Sequence, residues 1–220
     1  MNALSSNVLD NREVARLFDR AAGIYDLVSN SYTMARRAAA LAAWVKGTSI
    51  EVGGGTAAVS AGLRERSHAF HSDISHSMCR VARDRINRPS ACFDAECMPL
   101  ANQSFDSIVA GEMIYYLGRP ERFVSEAFRA LRPGGRLILS TTNPLMTVVE
   151  RGRTFLRELG FRHMFFDDGS PRFLPARKVT FMLNSSGFEV EHLGGIVPIP
   201  FRALDRLNRI LESTPLWRRP

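Results

Sequence analysis

With 220 residues, 45% hydrophobic and 23% charged, the chain holds enough apolar material for one sizeable core and is too apolar to be disordered. Its net charge of +7 and pI near 10.0 come almost wholly from arginine, Lys46 and Lys178 being the only lysines. The arginines are spread along the expected helices and form no dense stripe with interleaved aromatics, so a solvated surface is expected and no nucleic-acid partner. Cys79, Cys92 and Cys97 lack a paired spacing, which argues against a disulfide framework or a zinc site. Without a run long enough to span a bilayer, and with charges where a signal peptide needs its apolar segment, the chain reads as cytoplasmic.

Residues 11–46 are helical in pattern. Val14, Leu17, Phe18 and Ala21 share one face, "TMARRAAALAAWVKG" follows, and Gly23 with "SNSYT" divides two helices. From Ser49 short apolar runs ("SIEV", "SHAFHSD", "ACFDA", "FDSIVAGEM", "GRLILSTT") alternate with helix-length segments ("AAVSAGLRERS", "SHSMCRVARDRI", "PERFVSEAFRALRPGG"). That alternation predicts an α/β fold, a doubly wound, mostly parallel sheet with helices on both faces. "RPGG", Arg132 to Gly135, is expected to close a helix and start a strand.

After Asn143-Pro144 the alternation weakens, and clustered aromatics, an acidic pair and two prolines suit a lid over the mouth of the sheet. A helix near Ala176 to Ser186, a strand-like "GFEVEHLGGIV" and a basic amphipathic helix near Arg202 to Glu212 complete the chain. We expect one domain: a cap (1–46), a core (47–144), a lid with its helix (145–187), and a last strand with the C-terminal helix (188–220).

The chemical signal begins at "SIEVGGGTAAVS", Ser49 to Ser60. A strand, a glycine turn and a helix bring backbone N–H groups and a positive helix terminus up to a ligand. A tight structural turn is the plain alternative. Asp73, at the next strand end about 20 residues on, stands where a ribose-binding carboxylate belongs. Nicotinamide-dependent oxidoreductases share this much.

The order "EVGGGT … SDIS … FDAECMPLANQSFDSIVAGEMIYYL … ALRPGGRLILST" is more specific. It resembles the class I S-adenosylmethionine-dependent methyltransferases, in particular the small-molecule branch with the ubiquinone and menaquinone biosynthesis methylases. "LFDRAAGIYD" is similar to the cap helix of that branch. The resemblance implies S-adenosylmethionine as cofactor and a small-molecule acceptor. It gives Glu51 to the methionine amino group, with Gly53, Gly54 and Gly55 as the floor. Asp73 takes the ribose hydroxyls, Ile74 one adenine face, and Asp94 with the Ala95 or Glu96 backbone the adenine edge. Gly111 offers a carbonyl near the amino group, Tyr25 closes the site from the cap, and Met78 completes the cofactor set.

Two departures stand out. Ala57 replaces the third glycine of the first motif, and Tyr115-Tyr116 replace a frequent Glu-His pair. In-line transfer from a sulfonium needs alignment and dryness more than a triad. O-methylation of a hydroxylated natural product or quinone-like compound is the leading expectation, with carbon or nitrogen as alternatives. The candidate bases are His163, backed by Asp167 and Asp168, and Tyr116. A surface histidine at a helix end fits His163 equally well. No metal site is expected. Arg172 and Arg177 suit either an anionic acceptor or solvent. The C-terminal helix suits packing on the domain before a membrane surface. The family's final antiparallel strand has no counterpart before Pro220, which would leave an edge that a second copy could cover in a homodimer. A non-catalytic cofactor-binding subunit is the remaining alternative.

Overall fold

The computed structural model describes residues 9–29, 31–63, 69–144, 146–148 and 171–195, with Gly152 and Phe155. Helix α1 (Asn11–Ala21) opens on a capping box, in which Asp10 accepts from the Glu13 N–H and Glu13 reaches back to the Asp10 N–H. Gly23 breaks the run as expected, but a single turn, α2 (Tyr25–Val28), intervenes before α3 (Ser31–Ala42). The described residues of the cap therefore form three helices, because Ile24 to Ser29 hold enough local hydrogen bonds to close a turn of their own.

The core follows as β1 (Ser49–Val52), α4 (Ala58–Gly62), β2 (Ala69–Asp73), α5 (His76–Ile86), β3 (Ser90–Cys92), β4 (Phe105–Gly111), a 3₁₀ turn (Ile114–Tyr116), α6 (Pro120–Ala130), β5 (Leu131–Ser140) and α7 (Ala176–Ser185). The described sheet has five strands in the order β3-β2-β1-β4-β5, all neighbours parallel. All four residues of β1 are buried, as a central strand covered on both faces requires. Strand order reverses between β1 and β4, so the crevice that can hold a ligand lies beyond their C-terminal ends. Phe123, Val124, Ala127 and Ala130 of α6 pack with Ile108 and Ala110 of β4 in the largest apolar cluster. Leu41 of the cap joins Val109 and Ile138 on the other face.

Two expectations change. "RPGG" is no helix-to-strand turn, because α6 ends at Ala130 and Leu131 already pairs with Phe105. The next aligned pair is Ser107 with Arg136, so Arg132 to Gly135 bulge out of β5. A Cβ at Gly135 would lie 2.8 Å from the Arg132 carbonyl, which explains a glycine there. "GFEVEHLGGIV" forms no strand within its described residues, up to Gly195. It is held beside the sheet by side chains, since Phe188 packs edge-on against Phe128 and Glu191 pairs with Arg136 of β5 at 3.2 Å. The helix near Ala176 is present as α7. Most of the expected lid and the C-terminal amphipathic helix lie outside the described residues. Among the described residues no helix is long and apolar enough to cross a membrane, and no cluster of His, Cys, Asp and Glu could hold a metal ion.

Candidate active site

The glycine turn is shaped from below by the protein itself. A Cβ on Gly54 would lie 2.7 Å from the side chains of Glu51 and His71, and one on Gly53 (φ +63°) would lie 2.9 Å from Met113. Bare backbone is therefore required by packing as well as by any ligand above it. The turn is tied to its neighbour strand by the Gly54 N–H, which donates to the Ser72 carbonyl at 3.1 Å.

Two carboxylates brace the turn. Glu51, buried at the middle of β1, accepts from the N–H groups of Ser60 (2.8 Å) and Val59 (3.4 Å), so it closes the first turn of α4 where Ala57 has no side chain to do so. Burial pushes its pKa up to about 7. Asp73, at the tip of β2, accepts from the Gly55 N–H through Oδ2 and from the Ser75 N–H through Oδ1, both at 2.8 Å. Burial raises its pKa to about 6 despite those donors. Beneath them, the His71 ring meets Ser90 Oγ at 2.7 Å through Nδ1. Its Nε2 is buried with no hydrogen-bond partner among the described residues, and burial holds the ring neutral, with a pKa of about 4.

Ala57 sits in the left-handed region, with φ 62° and ψ 43°, and is fully buried. The departure from glycine at this position thus places strain in the backbone. A left-handed L-residue costs about 1–2 kcal/mol.

A cavity opens above the turn. Of the sequence-predicted residues, Tyr25, Glu51, Gly53, Gly54, Gly55, Asp73, Ile74, Gly111 and Tyr116 line it. Met78, Asp94, Ala95 and Glu96 do not. Met78 is fully buried against Ala21 and Ala22, where it holds α1 on α5. The Asp94 carboxylate accepts from Asn11 Nδ2 at 2.6 Å, so the first residue of α1 forms the cavity wall in front of it. The Glu96 N–H donates to Asp94 Oδ1, and the Glu96 carboxylate is spent on Arg119, with an ion pair at 3.1 Å and a backbone N–H at 2.8 Å. His163 lies outside the described residues, as do Asp167 and Asp168. Arg172 is placed by its N–H, which donates to the Tyr115 carbonyl at 3.0 Å.

Residues that the sequence reading missed cluster on the other side. Glu112, just past β4 and with φ +57°, accepts from Ser140 Oγ (2.9 Å), Tyr115 OH (3.1 Å) and Thr142 Oγ1. Its position directly after the β4 tip was the available signal. Phe18, Met34 and Arg37 enter from the cap. The cap is fastened to the turn by Asp26, which accepts from Thr56 Oγ1 at 2.7 Å and pairs with Arg85, whose Nη1 also donates to Thr56 at 3.1 Å.

A parallel sheet in this order, a glycine turn at the reversal and an acidic tip on the neighbouring strand define a doubly wound α/β core with its ligand crevice at the switch point. Residues 50–139 match the family model described as "Methyltransferase domain". The chain carries a class I S-adenosylmethionine-dependent methyltransferase domain and resembles the ubiquinone/menaquinone biosynthesis methylases. It is 32% identical over 155 residues to the ubiquinone/menaquinone biosynthesis C-methyltransferase UbiE of Bartonella bacilliformis, covering 63% of this chain and 58% of that one. It is 31% identical over 165 residues to the biotin biosynthesis bifunctional protein BioHC of Cellvibrio japonicus, covering 72% of this chain and 33% of that one. The chain thus spans between a third and somewhat over half of these curated relatives. Among solved structures, magnesium protoporphyrin IX methyltransferase from Synechocystis superposes with TM-score 0.70 at 16% identity, covering 88% of this chain and 95% of that one. A possible histamine N-methyltransferase from Thermotoga maritima gives 0.66 at 24%, covering 80% and 82%. At such identities these two show the fold alone.

Proposed function

We propose that the protein transfers a methyl group from S-adenosylmethionine to a small-molecule acceptor held between the cap and the tips of β4 and β5. The observation that carries this reading is the cavity above a bare glycine turn with Glu51, Asp73 and Glu112 on its wall. Three carboxylates suit a ligand that bears a sulfonium and an ammonium, and Asp73 retains lone pairs for two ribose hydroxyls. When bound, the cofactor supplies an already activated methyl.

The protein's own task is alignment and exclusion of water. Tyr25, half-buried, closes the cavity from α2, and the Asp26–Thr56–Arg85 contacts hold that helix against the turn. Tyr116 packs edge-on against Phe18 at 5.2 Å and presents a phenol at the wall. Tyr115 is kept in its phenol form by burial, with the nearby Glu112 charge adding to it, and donates to Glu112. An acceptor hydroxyl would find Tyr116 and Glu112 as hydrogen-bond partners, which supports oxygen as the methylated atom. Carbon is the second reading, favoured by the relative whose name is C-methyltransferase.

Calorimetric titration with S-adenosylhomocysteine should give micromolar binding that Asp73→Ala abolishes. Incubation with labelled S-adenosylmethionine and a panel of phenolic and quinone-like acceptors, with products resolved by mass spectrometry, then separates O- from C-methylation. Tight binding of a nicotinamide dinucleotide in place of S-adenosylhomocysteine would sink the assignment.

A further inference from the structure

Two of the three cysteines meet beside the Asp73 corner of the cavity, in a cluster that methyl transfer does not use. Ser90 and Cys92 are two apart in β3, so both face the same side of the sheet. Helix α5 lies against that side and brings Cys79 to them. The Cys79 thiol reaches the Ala91 carbonyl at 3.2 Å and the Asp73 carbonyl at 3.5 Å, and it is a hydrogen-bond partner of Ser90 and of the Cys92 thiol. The Cys92 thiol donates to the Ile74 carbonyl at 3.4 Å. Two thiols thus hold the successive carbonyls of Asp73 and Ile74, and both of those residues line the cavity. Cys79 is buried and Cys92 exposed, so an oxidant in solvent meets Cys92 first.

We propose that Cys79 and Cys92 form a reversible disulfide under hydrogen peroxide, and that this bond weakens cofactor binding. The Cys92 thiolate attacks one peroxide oxygen, the O–O bond breaks with release of hydroxide, and Cys92 carries a sulfenic acid. The Cys79 sulfur then attacks the Cys92 sulfur and the S–O bond breaks. Each sulfur gives one electron to the peroxide, and the two thiol protons leave with its two oxygens as two waters. A disulfide is shorter than a contact between two thiols, so α5 and the end of β3 close on each other, and the Asp73 and Ile74 carbonyls lose their thiol donors. The start of α5 is tied to Asp73 through the Ser75 N–H at 2.8 Å, and the same carboxylate holds the Gly55 N–H. Movement there misplaces Asp73 against the glycine turn. Burial pushes the Cys79 thiol up to about 11 and raises Cys92 as well, which keeps the pair reduced until peroxide is abundant. The effect on binding rests on the reading of the cavity as an S-adenosylmethionine site; the cross-link itself does not.

The test uses the whole chain as Cys97→Ser, so that Cys79 and Cys92 are its only thiols. After treatment with hydrogen peroxide and blocking of free thiols with N-ethylmaleimide, mass spectrometry of a digest should show the Cys79 and Cys92 peptides joined with the loss of two hydrogens. Calorimetry should then give an S-adenosylhomocysteine affinity lower by about 5- to 100-fold, the usual range for coupled sites, with recovery on adding dithiothreitol. Adding Cys92→Ser keeps a donor for the Ile74 carbonyl, and that protein should bind within about 2-fold of its parent before and after peroxide. Peptides that stay unlinked, or a Cys92 that goes on alone to the sulfinic acid, would overturn the inference. So would a cross-linked protein that binds S-adenosylhomocysteine as tightly as the reduced one. Reduced protein that binds none at all would instead bring down the proposed function, and the effect on binding with it, while the mass spectrum still decides on the cross-link.

Discussion

The two sides of the crevice hold their carboxylates in different ways. At the β1 and β2 tips, Glu51 and Asp73 accept from backbone N–H groups of residues 2 to 18 positions away in sequence. At the β4 and β5 tips, Glu112 accepts from three side-chain hydroxyls, two of them 28 and 30 positions away. Backbone donors come with the turn and cannot be mutated away. Hydroxyl donors depend on the side chains that happen to meet there. The first side is therefore a frame fixed by the backbone, and the second a wall that substitutions can retune.

The largest expected effect comes from removing the frame's ligand contact. Asp73→Ala should lower S-adenosylhomocysteine affinity by about 100-fold or more, because two charge-assisted hydrogen bonds are lost together, and calorimetry measures it. If the loss were under about 10-fold, the frame would not be the main source of affinity. On the other side, Glu112→Gln should cost about 1–3 kcal/mol in denaturant unfolding, since three hydroxyls lose an ionised acceptor. No change in the unfolding midpoint would show that the hydroxyls merely follow the carboxylate.

Titration sharpens the contrast. Glu51 at about 7 and Asp73 at about 6 are raised above their ordinary values of 4.5 and 3.8. Their contribution to the stability of the free protein is therefore fully present below about pH 4 and is lost as pH rises through 6 and then 7. Neutral His71 opposes this: its pKa falls from 6.5 to about 4, so its contribution is present above 6.5 and is lost as pH falls through 4. A ligand with ammonium and hydroxyl donors favours the ionised carboxylates, so affinity for S-adenosylmethionine should rise between about pH 5 and 8 with release of protons. Asp73→Asn should flatten the lower part of that rise in a pH series of titrations.

Smaller effects are expected where the fastening is exposed or compensated. The side chains of Arg85 and Asp26 are 35% and 39% exposed, so Arg85→Ala should cost under about 1 kcal/mol of stability. Its clearer effect should be faster cofactor release, measured by stopped flow. Ala57→Gly should leave stability within about 1 kcal/mol of the wild type. Relief of left-handed strain is offset by a lost buried methyl and a floppier unfolded chain. A change well beyond that range in thermal unfolding would mean that the neighbouring turn also rearranges.

Legibility followed the same divide. The span "SIEV", the glycines and Asp73 could be placed from the order of the residues, because a strand end, a turn and a helix start are set by neighbours in sequence. Asp94 and Met78 show the limit. Both stand at recognisable positions, yet Asn11 occupies the wall before one, and α1 buries the other. Neither contact has a local signature, since the cap joins the core across more than 50 positions. Arg37 and Glu112 were unremarked for the same reason. An arginine on an amphipathic helix looks solvated until the sheet tip beneath it is known.

Local order along the chain was enough to determine the alternation of strands and helices, the glycine turn and the acidic strand tip, because hydrophobic period and backbone permissiveness act over a few residues. The bulge at Arg132 to Gly135, the pairing of Glu191 with Arg136 of β5 and the convergence of Arg37 and Glu112 on one cavity were decided by packing. Those contacts join segments far apart in sequence, and their energies exist only once the sheet and cap have brought the partners together.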